Sequence, residues 1–561
     1  MSKFVIYQVL PRLFGNYNTT NKYNGTIQEN GCGKFNSFTP KALKEIKMLG
    51  VSHIWYTGII EHATQTDYSA FGIEKDHPDV VKGKAGSPYA IKDYYDVDPD
   101  LAEDVENRMS EFENLVKRTH KTGMKVLIDF VPNHVARQYH SDAKPEGVSD
   151  LGENDHTEWA FSPLNNFYYM PKQAFTPQFD VDGYSEFPAK ATGNDQFTAS
   201  PTRNDWYETV KLNYGVNYVE GHQKQFNPIP DTWIKMRDIL LFWASKQVDG
   251  FRCDMAEMVP VEFWGWAVSQ VKKLYPDIIF IAEVYKPAEY RNYICNGKFD
   301  YLYDKVGMYE MLRNITSKNF PVHNLTNAWQ SLGGIEDKML NFMENHDEQR
   351  IGSGFFSGSG MSAQPGMIVA ATLTKAPVMI YFGQELGELD MDNEGFSGVD
   401  GRTSIFDYWG VKTVQAWAND GKFDGKKLTK EQKELRKFYQ KLLNITLTEK
   451  AITDGVMYDL AFSNFDNLKF NSHEQYAYFR KFEDEILLFV LNFDDKNLDT
   501  EVQFPLEAFQ FMELEEGHHY SCVNLLNDTD EISTFSFSSQ QVFYTQMPAW
   551  KGKIFKLKKI E

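Results

Sequence analysis

Four short segments of this 561-residue chain end apolar, β-branched or aromatic runs with acidic or imidazole side chains: Asp129-Phe-Val-Pro-Asn-His134, Gly250-Phe-Arg-Cys-Asp254, Ile281-Ala-Glu283 and Phe342-Met-Glu-Asn-His-Asp347. Paired carboxylates do acid–base and nucleophilic work when one is held ionised and the other is kept protonated near neutral pH. Arg252 stands two residues before Asp254, and the alternation of a strand puts both on one face. Its guanidinium is the cation suited to keep Asp254 ionised, while a different environment must raise the pKa of Glu283. None of these residues carries much weight alone. Most of the 78 acidic side chains must be solvated, and a single histidine is usually structural.

Positioning them requires strands whose ends converge. Strand-like runs cover Phe4 to Leu10, Val51 to Thr57, Lys125 to Phe130, Gly250 to Asp254, Ile278 to Glu283, Met339 to Glu344 and Val378 to Phe382. Between them lie amphipathic stretches, Pro40 to Leu49, Arg108 to Thr122, Trp233 to Lys246 and Val261 to Leu274, with apolar residues at helical spacing. Strand, helix and strand again predict an α/β fold of parallel units, and Tyr301 to Tyr303 falls where an eighth strand is needed. A (β/α)8 TIM barrel allots roughly 31 residues to each unit. Asp254 and Glu283 are 29 residues apart, one unit, and Glu283 and Asp347 are 64 apart, two units. Asp129 and Asp254 are 125 apart where the strand order allows a single unit, so a subdomain is inserted after strand 3. From about Ala451 the chain alternates strands with turns, as an antiparallel β-sandwich does. The expected organisation is barrel at 1–134, insertion at 135–218, barrel again at 219–445 and a C-terminal β-sandwich at 446–561.

In their order and spacing, with the long gap after the first, the four segments resemble the α-amylase superfamily of retaining glycoside hydrolases, glycoside hydrolase family 13. Val51 to Ile59 looks like that family's second strand, Tyr89 to Pro99 like the loop after it, Lys211-Leu-Asn213 like the close of its inserted subdomain, and Ile380 to Glu385 like its eighth strand. The likeness runs from about Tyr7 to Arg402, and beyond it only size and β character match. It implies that Asp254 is the nucleophile that forms a β-linked glycosyl-enzyme, Glu283 the general acid/base, and Asp347 the carboxylate that grips the ring's secondary hydroxyls. His346 and His134 would hydrogen-bond the sugar on the non-reducing side of the cleaved bond, Tyr89 would stack on it, and Asp129 would support Arg252. An oxocarbenium-like transition state needs such a carboxylate pair, about 5 to 5.5 Å apart for retention.

The implied activity is hydrolysis of α-1,4-glucosidic bonds in starch, glycogen or maltodextrins. Cyclomaltodextrinase, α-glucosidase and 4-α-glucanotransferase actions use the same carboxylates, and a glucan-binding barrel that has lost catalysis is the non-enzyme alternative. The intact trio argues against the last. Many α-amylases carry Lys-His three and four residues after the nucleophile, where this chain has Glu257 and Met258, so the acceptor side and endo versus exo action stay open. No cofactor is required for the chemistry. Asn133 matches an asparagine that ligates structural calcium in many members, and Asn16 to Asn21 and Asn24 are rich in oxygen donors, although asparagines also build turns. A structural calcium ion is therefore left open, with no ligand assigned.

The partner the resemblance implies is an α-glucan oligosaccharide or polysaccharide, and composition argues against other classes. With 58 basic and 78 acidic side chains the net charge is −20, which repels phosphate backbones and anionic lipids and excludes nucleic acid as a partner. The longest apolar stretches, such as Pro377 to Phe382, are far shorter than a membrane span needs. The start at Met1 lacks a secretory pattern, which reads as cytoplasmic, or as periplasmic or secreted if a leader precedes it. Cys32, Cys253, Cys295 and Cys522 have neither metal-binding nor disulfide spacing and are expected to be free, mostly buried thiols. Aromatic residues from Trp159 to Phe187 sit among Asn, Asp, Gly and Pro, where they build either stacking platforms for a sugar or a small subdomain core.

Overall fold

The computed structural model describes residues 3–527, 532–539 and 541–560. Eight parallel strands close into a barrel: β1 (Val5–Val9), β2 (His53–Tyr56), β3 (Lys125–Phe130), β4 (Gly250–Cys253), β5 (Ile279–Ala282), β6 (Tyr301–Tyr303), β7 (Met339–Phe342) and β8 (Val378–Tyr381). Each lies within two residues of the run read from the sequence. Closure is made by β8 against β1, with Val378 opposite Val5 and Tyr381 opposite Gln8. The outer ring contains α1 (Pro40–Met48), α2 (Arg108–Lys121), α3 (Asp231–Ser245), α4 (Val261–Leu274), α5 (Tyr290–Cys295), α6 (Glu310–Thr316), α7 (Gln364–Thr372) and α8 (Lys430–Thr448), one after each strand.

Alternation along the strands separates two layers. Phe4, Ile6, Trp55, Leu127, Ile279 and Ile281 pack with Tyr301, Tyr303, Leu340 and Met379 inside the barrel. Their neighbours Val5, Ile54, Val126, Ile128, Phe251 and Phe280 face the helices. Carried one step further toward the carboxyl ends, the inward parity falls on Gln8, Asp129, Arg252, Asp254 and Glu283. The polar residues are thus the top layer of the same stack whose lower layers are apolar, which is where barrels of this kind place their chemistry.

Two excursions rise above that layer. After β2, the short strand Ile60–His62 pairs antiparallel with Ile91–Val97, a hairpin that no sequence pattern foretold. After β3, His134–Ala136 pairs with Thr209–Lys211 and Tyr169–Met170 with Ala189–Lys190, and Val216–Asn217 pairs with Gln223–Lys224 before α3 begins. Tyr168 and Phe175 bury themselves with Val80, Ala189 and Ala199 in a core of this excursion, while Trp159 and Phe187 stay exposed. Core formation thus explains most of these rings.

The C-terminal part is a six-stranded antiparallel sheet faced by the pair Leu498–Gln503 and Val542–Met547. Phe479 and Leu488 from the larger sheet share one core with Val502 and Phe543 from the smaller, which makes it a sandwich. Buried Arg480 ties it to the barrel by donating to the Leu373 carbonyl at 2.9 Å. Among the cysteines Cys253 and Cys522 are buried but Cys295 is exposed, and all four are free. No described helix is long and apolar enough to cross a membrane.

Candidate active site

Arg252 organises the mouth of the barrel. Its Nη1 lies 2.7 Å from Asp254 Oδ1 and its Nη2 lies 2.8 Å from Glu283 Oε2. The guanidinium donates a hydrogen bond to Asp254 through Nη1 and is ion-paired with Glu283 through Nη2, which sets both carboxylates beside one cation. Trp55, Tyr89 and Tyr303 box the cation, their ring centroids 5.3, 5.4 and 5.5 Å from Cζ, and it donates through Nε to the Tyr303 hydroxyl at 3.3 Å. Asp129 completes the support, 3.6 Å from Nη1 and itself held by Trp55 Nε1 at 3.0 Å and the Gly58 amide at 3.2 Å. Burial pushes Asp129 up to about 6, against the pull of Arg252.

One cation therefore serves several buried carboxylates. Burial pushes Asp254 well above the usual aspartate range, Arg252 opposes this, and repulsion from Glu283 and Asp347 adds to it. Glu283 is further held by the Met255 amide on Oε2 at 2.8 Å and by the Tyr285 hydroxyl on Oε1. To deliver that amide, Met255 takes a left-handed φ of 43°, a conformation uncommon outside glycine.

Across the pocket, His346 receives the Gln8 side-chain amide on Nδ1 at 2.8 Å, and its Nε2 lies 2.7 Å from the Tyr89 hydroxyl and 3.1 Å from Asp347 Oδ2. An acceptor role for Nδ1 leaves the proton on Nε2, aimed at those oxygens. Burial lowers His346 and His134 to about 3, so both are neutral hydrogen-bonding groups at working pH. His134 packs against Trp206 with ring centroids 5.2 Å apart. Asp254, Glu283, Asp347, Tyr89 and His134 all line one cavity of about 310 Å³, with Arg252 and Asp129 directly beneath. Asp347 is the exposed member, its side chain 43 % accessible.

A family model described as the α-amylase catalytic domain matches residues 8–455. The chain belongs to the α-amylase family. Among similar curated proteins, "Alpha-amylase 3" of Dictyoglomus thermophilum is 24 % identical over 424 residues, covering 72 % of this chain and 74 % of its own. "Neopullulanase 2" of Thermoactinomyces vulgaris is 23 % identical over 404 residues, 68 % of this chain and 56 % of its own. Among solved structures, an α-amylase from Geobacillus thermoleovorans complexed with acarbose superposes with a TM-score of 0.64 at 17 % identity, covering 100 % of this chain and 99 % of that one. This α-amylase-family chain is a glycoside hydrolase acting on α-glucans.

Two features of this family member differ from the common pattern. Glu257 stands where many α-amylases place lysine, and its Oε2 accepts from the backbone amides of Tyr285 at 2.9 Å and Lys286 at 3.1 Å. It is committed to shaping the strand-5 loop that carries Tyr285 past Glu283. At Asn133 the amide oxygen accepts from the Lys211 ammonium, which also pairs with Asp195 at 2.7 Å and donates to the Met258 carbonyl at 3.3 Å. A cation of the chain's own already sits among these oxygens, so the donor set does not fit calcium. The amino-terminal asparagines are engaged as well: Asn16 Oδ1 caps the Asn18 amide, Asn18 Oδ1 the Thr20 amide, and Asn21 Oδ1 the Gly410 amide. No group of three or more His, Cys, Asp or Glu side chains placed to hold a metal ion occurs among the described residues.

Sequence reading passed over Gln8, Trp55, Tyr303 and Tyr285. The first three are inward barrel positions, and their parity was the only available signal.

Proposed function

We propose that the protein is a retaining hydrolase of α-1,4-linked glucans such as maltodextrins, starch or glycogen, acting through a glycosyl-enzyme on Asp254. The observation that carries this reading is the shared guanidinium, Arg252 Nη1 on Asp254 and Nη2 on Glu283. Asp254 attacks the anomeric carbon while Glu283 protonates the glycosidic oxygen, and the departing sugar takes that proton. Water then enters, gives a proton to Glu283 and cleaves the ester, so two inversions return the α configuration. Asp347 and the Nε2–H of His346 hold the ring hydroxyls, and Tyr89 covers the ring. Because Asp254 must be an anion while burial opposes ionisation, the site relies on Arg252 and on transition-state charge for its nucleophile.

The test is the configuration of the product formed first, read by proton NMR before mutarotation. The α anomer is expected; the β anomer means inversion and removes the nucleophilic role of Asp254. Chromatography of the same digest separates hydrolysis from transfer, since longer oligosaccharides accumulate only when a sugar hydroxyl replaces water.

The reading includes independence from calcium, which Lys211 supports. Chelation with EDTA is expected to leave the melting temperature and activity unchanged, and added calcium to leave both where they were. A melting point lowered by EDTA and restored by calcium would refute this.

A further inference from the structure

The pocket's two ends differ. At one end Met255 and Tyr285 hydrogen-bond the acid/base Glu283, so the leaving group departs there. Lys305, Asp347 and Glu348 line the pocket from the loops after β6 and β7. The rest of the wall comes from the loops after β2 and β8 and from the end of the insertion, which are bolted together. The Ala85 amide donates to the Phe406 carbonyl at 3.0 Å. Buried Arg12 donates to the carbonyls of Gly86 at 3.2 Å and Ile405 at 2.9 Å, tying both loops to one guanidinium. The approach is close enough that a Cβ on Gly83, at φ +67°, would lie 2.2 Å from the Phe406 carbonyl oxygen. Only glycine permits it. On the other flank Lys82 Nζ pairs with Glu208 Oε1 at 2.8 Å, both side chains nearly buried, which joins the strand-2 loop to the insertion.

Ile405, Phe406, Lys82 and Glu208 line the same cavity as the catalytic carboxylates. Glu208 is 4 % exposed, and its second carboxylate oxygen, Oε2, has no hydrogen-bond partner among the described residues. A buried carboxylate oxygen without a donor carries a desolvation cost that a ligand hydroxyl would relieve. The cavity, about 310 Å³, is at the lower end of the range for small-molecule sites, room for roughly one or two sugar rings. A groove for a long polymer would continue past both ends.

We propose that the clasp of the strand-2 and strand-8 loops closes the pocket on the non-reducing side and that Glu208 Oε2 accepts a hydrogen bond from a hydroxyl of the terminal glucose. The substrate is then a chain end or a short maltodextrin, admitted from its non-reducing terminus. This rests on the hydrolase reading above, with Glu283 marking the leaving-group side. No bond to the polymer interior is needed, and the buried ion pair sets the depth of the pocket.

The experiment compares 4-nitrophenyl α-maltotrioside with the same compound blocked by a 4,6-O-ethylidene group on its terminal glucose, both followed by chromatography. The free compound is expected to be hydrolysed and the blocked one to react at least about 100-fold more slowly in kcat/KM. Equal hydrolysis of both overturns the closed end while leaving the hydrolase reading standing; hydrolysis of neither removes the hydrolase reading and this inference with it. Glu208→Gln, which keeps the shape of the side chain, is expected to raise KM for the free trioside about tenfold with kcat little changed. An unaltered KM in the folded variant overturns the role of Glu208.

Discussion

Asp254→Asn is expected to lose on the order of 10⁴- to 10⁶-fold in kcat on maltooligosaccharides while the protein stays folded. The amide keeps the volume and one acceptor oxygen but cannot form the covalent ester, so the first step has no nucleophile. Folding is expected to survive because Arg252 is not orphaned: Glu283 stays 2.8 Å from its Nη2 and Asp129 stays 3.6 Å from its Nη1. Removing one partner of a buried pair is costly mainly when it leaves the other charge uncompensated. The measurements are kcat on maltotriose and the thermal midpoint by circular dichroism. A variant that turns over at near the parent rate would refute the mechanism, and a variant that unfolds would show Asp254 to be structural.

Glu283→Gln separates the two halves of the reaction. On natural glucans, whose leaving oxygen needs a proton, the loss is expected to be about 10²- to 10⁴-fold, the usual worth of a general acid. With α-maltosyl fluoride the leaving group departs without protonation, so glycosylation of Asp254 proceeds and only the second step, which needs a base for water, is slow. The variant should therefore release one equivalent of fluoride in a burst and then stall. Equal impairment on fluoride and glucan would mean that Glu283 only shapes the site.

Much of this was legible from residue order because a barrel repeats a local rule. The inward parity of Arg252 and Asp254 follows from strand alternation, and the strand runs are short and apolar with four amphipathic stretches between them, although the helix after β7 is buried on every side. The carboxylates sit at strand ends because the apolar layers below them fill the barrel. What spacing cannot convey is pairing across the barrel and between its loops. Gln8 meets His346 because barrel closure brings β1 within one strand of β7, after which His346 lies, and Lys82 meets Glu208 because the strand-2 loop leans on the insertion. The pairing of Ile60–His62 with Ile91–Val97 is invisible for the same reason: one strand is three residues long and its register shifts within them. The lysine beside Asn133 is hidden from spacing in the same way. Lys211 and Asn133 are 78 positions apart, and nothing local marks their contact.

The aromatic residues of the insertion carry a related lesson. Rings flanked by polar residues can face a sugar or each other, and the choice is made by burial. Tyr168 stacks near Phe161, meets Phe197 and Tyr218 edge-on, and donates its hydroxyl to the Val216 carbonyl at 2.7 Å. It has no face left for a ligand.

The most direct measurement is peptide mapping by mass spectrometry of the Glu283→Gln variant after reaction with α-maltosyl fluoride. One maltosyl adduct on the peptide containing Asp254 is the outcome expected if Asp254 is the nucleophile. An adduct on Asp347, Asp129 or any other carboxylate, or fluoride release with no adduct at all, would contradict it.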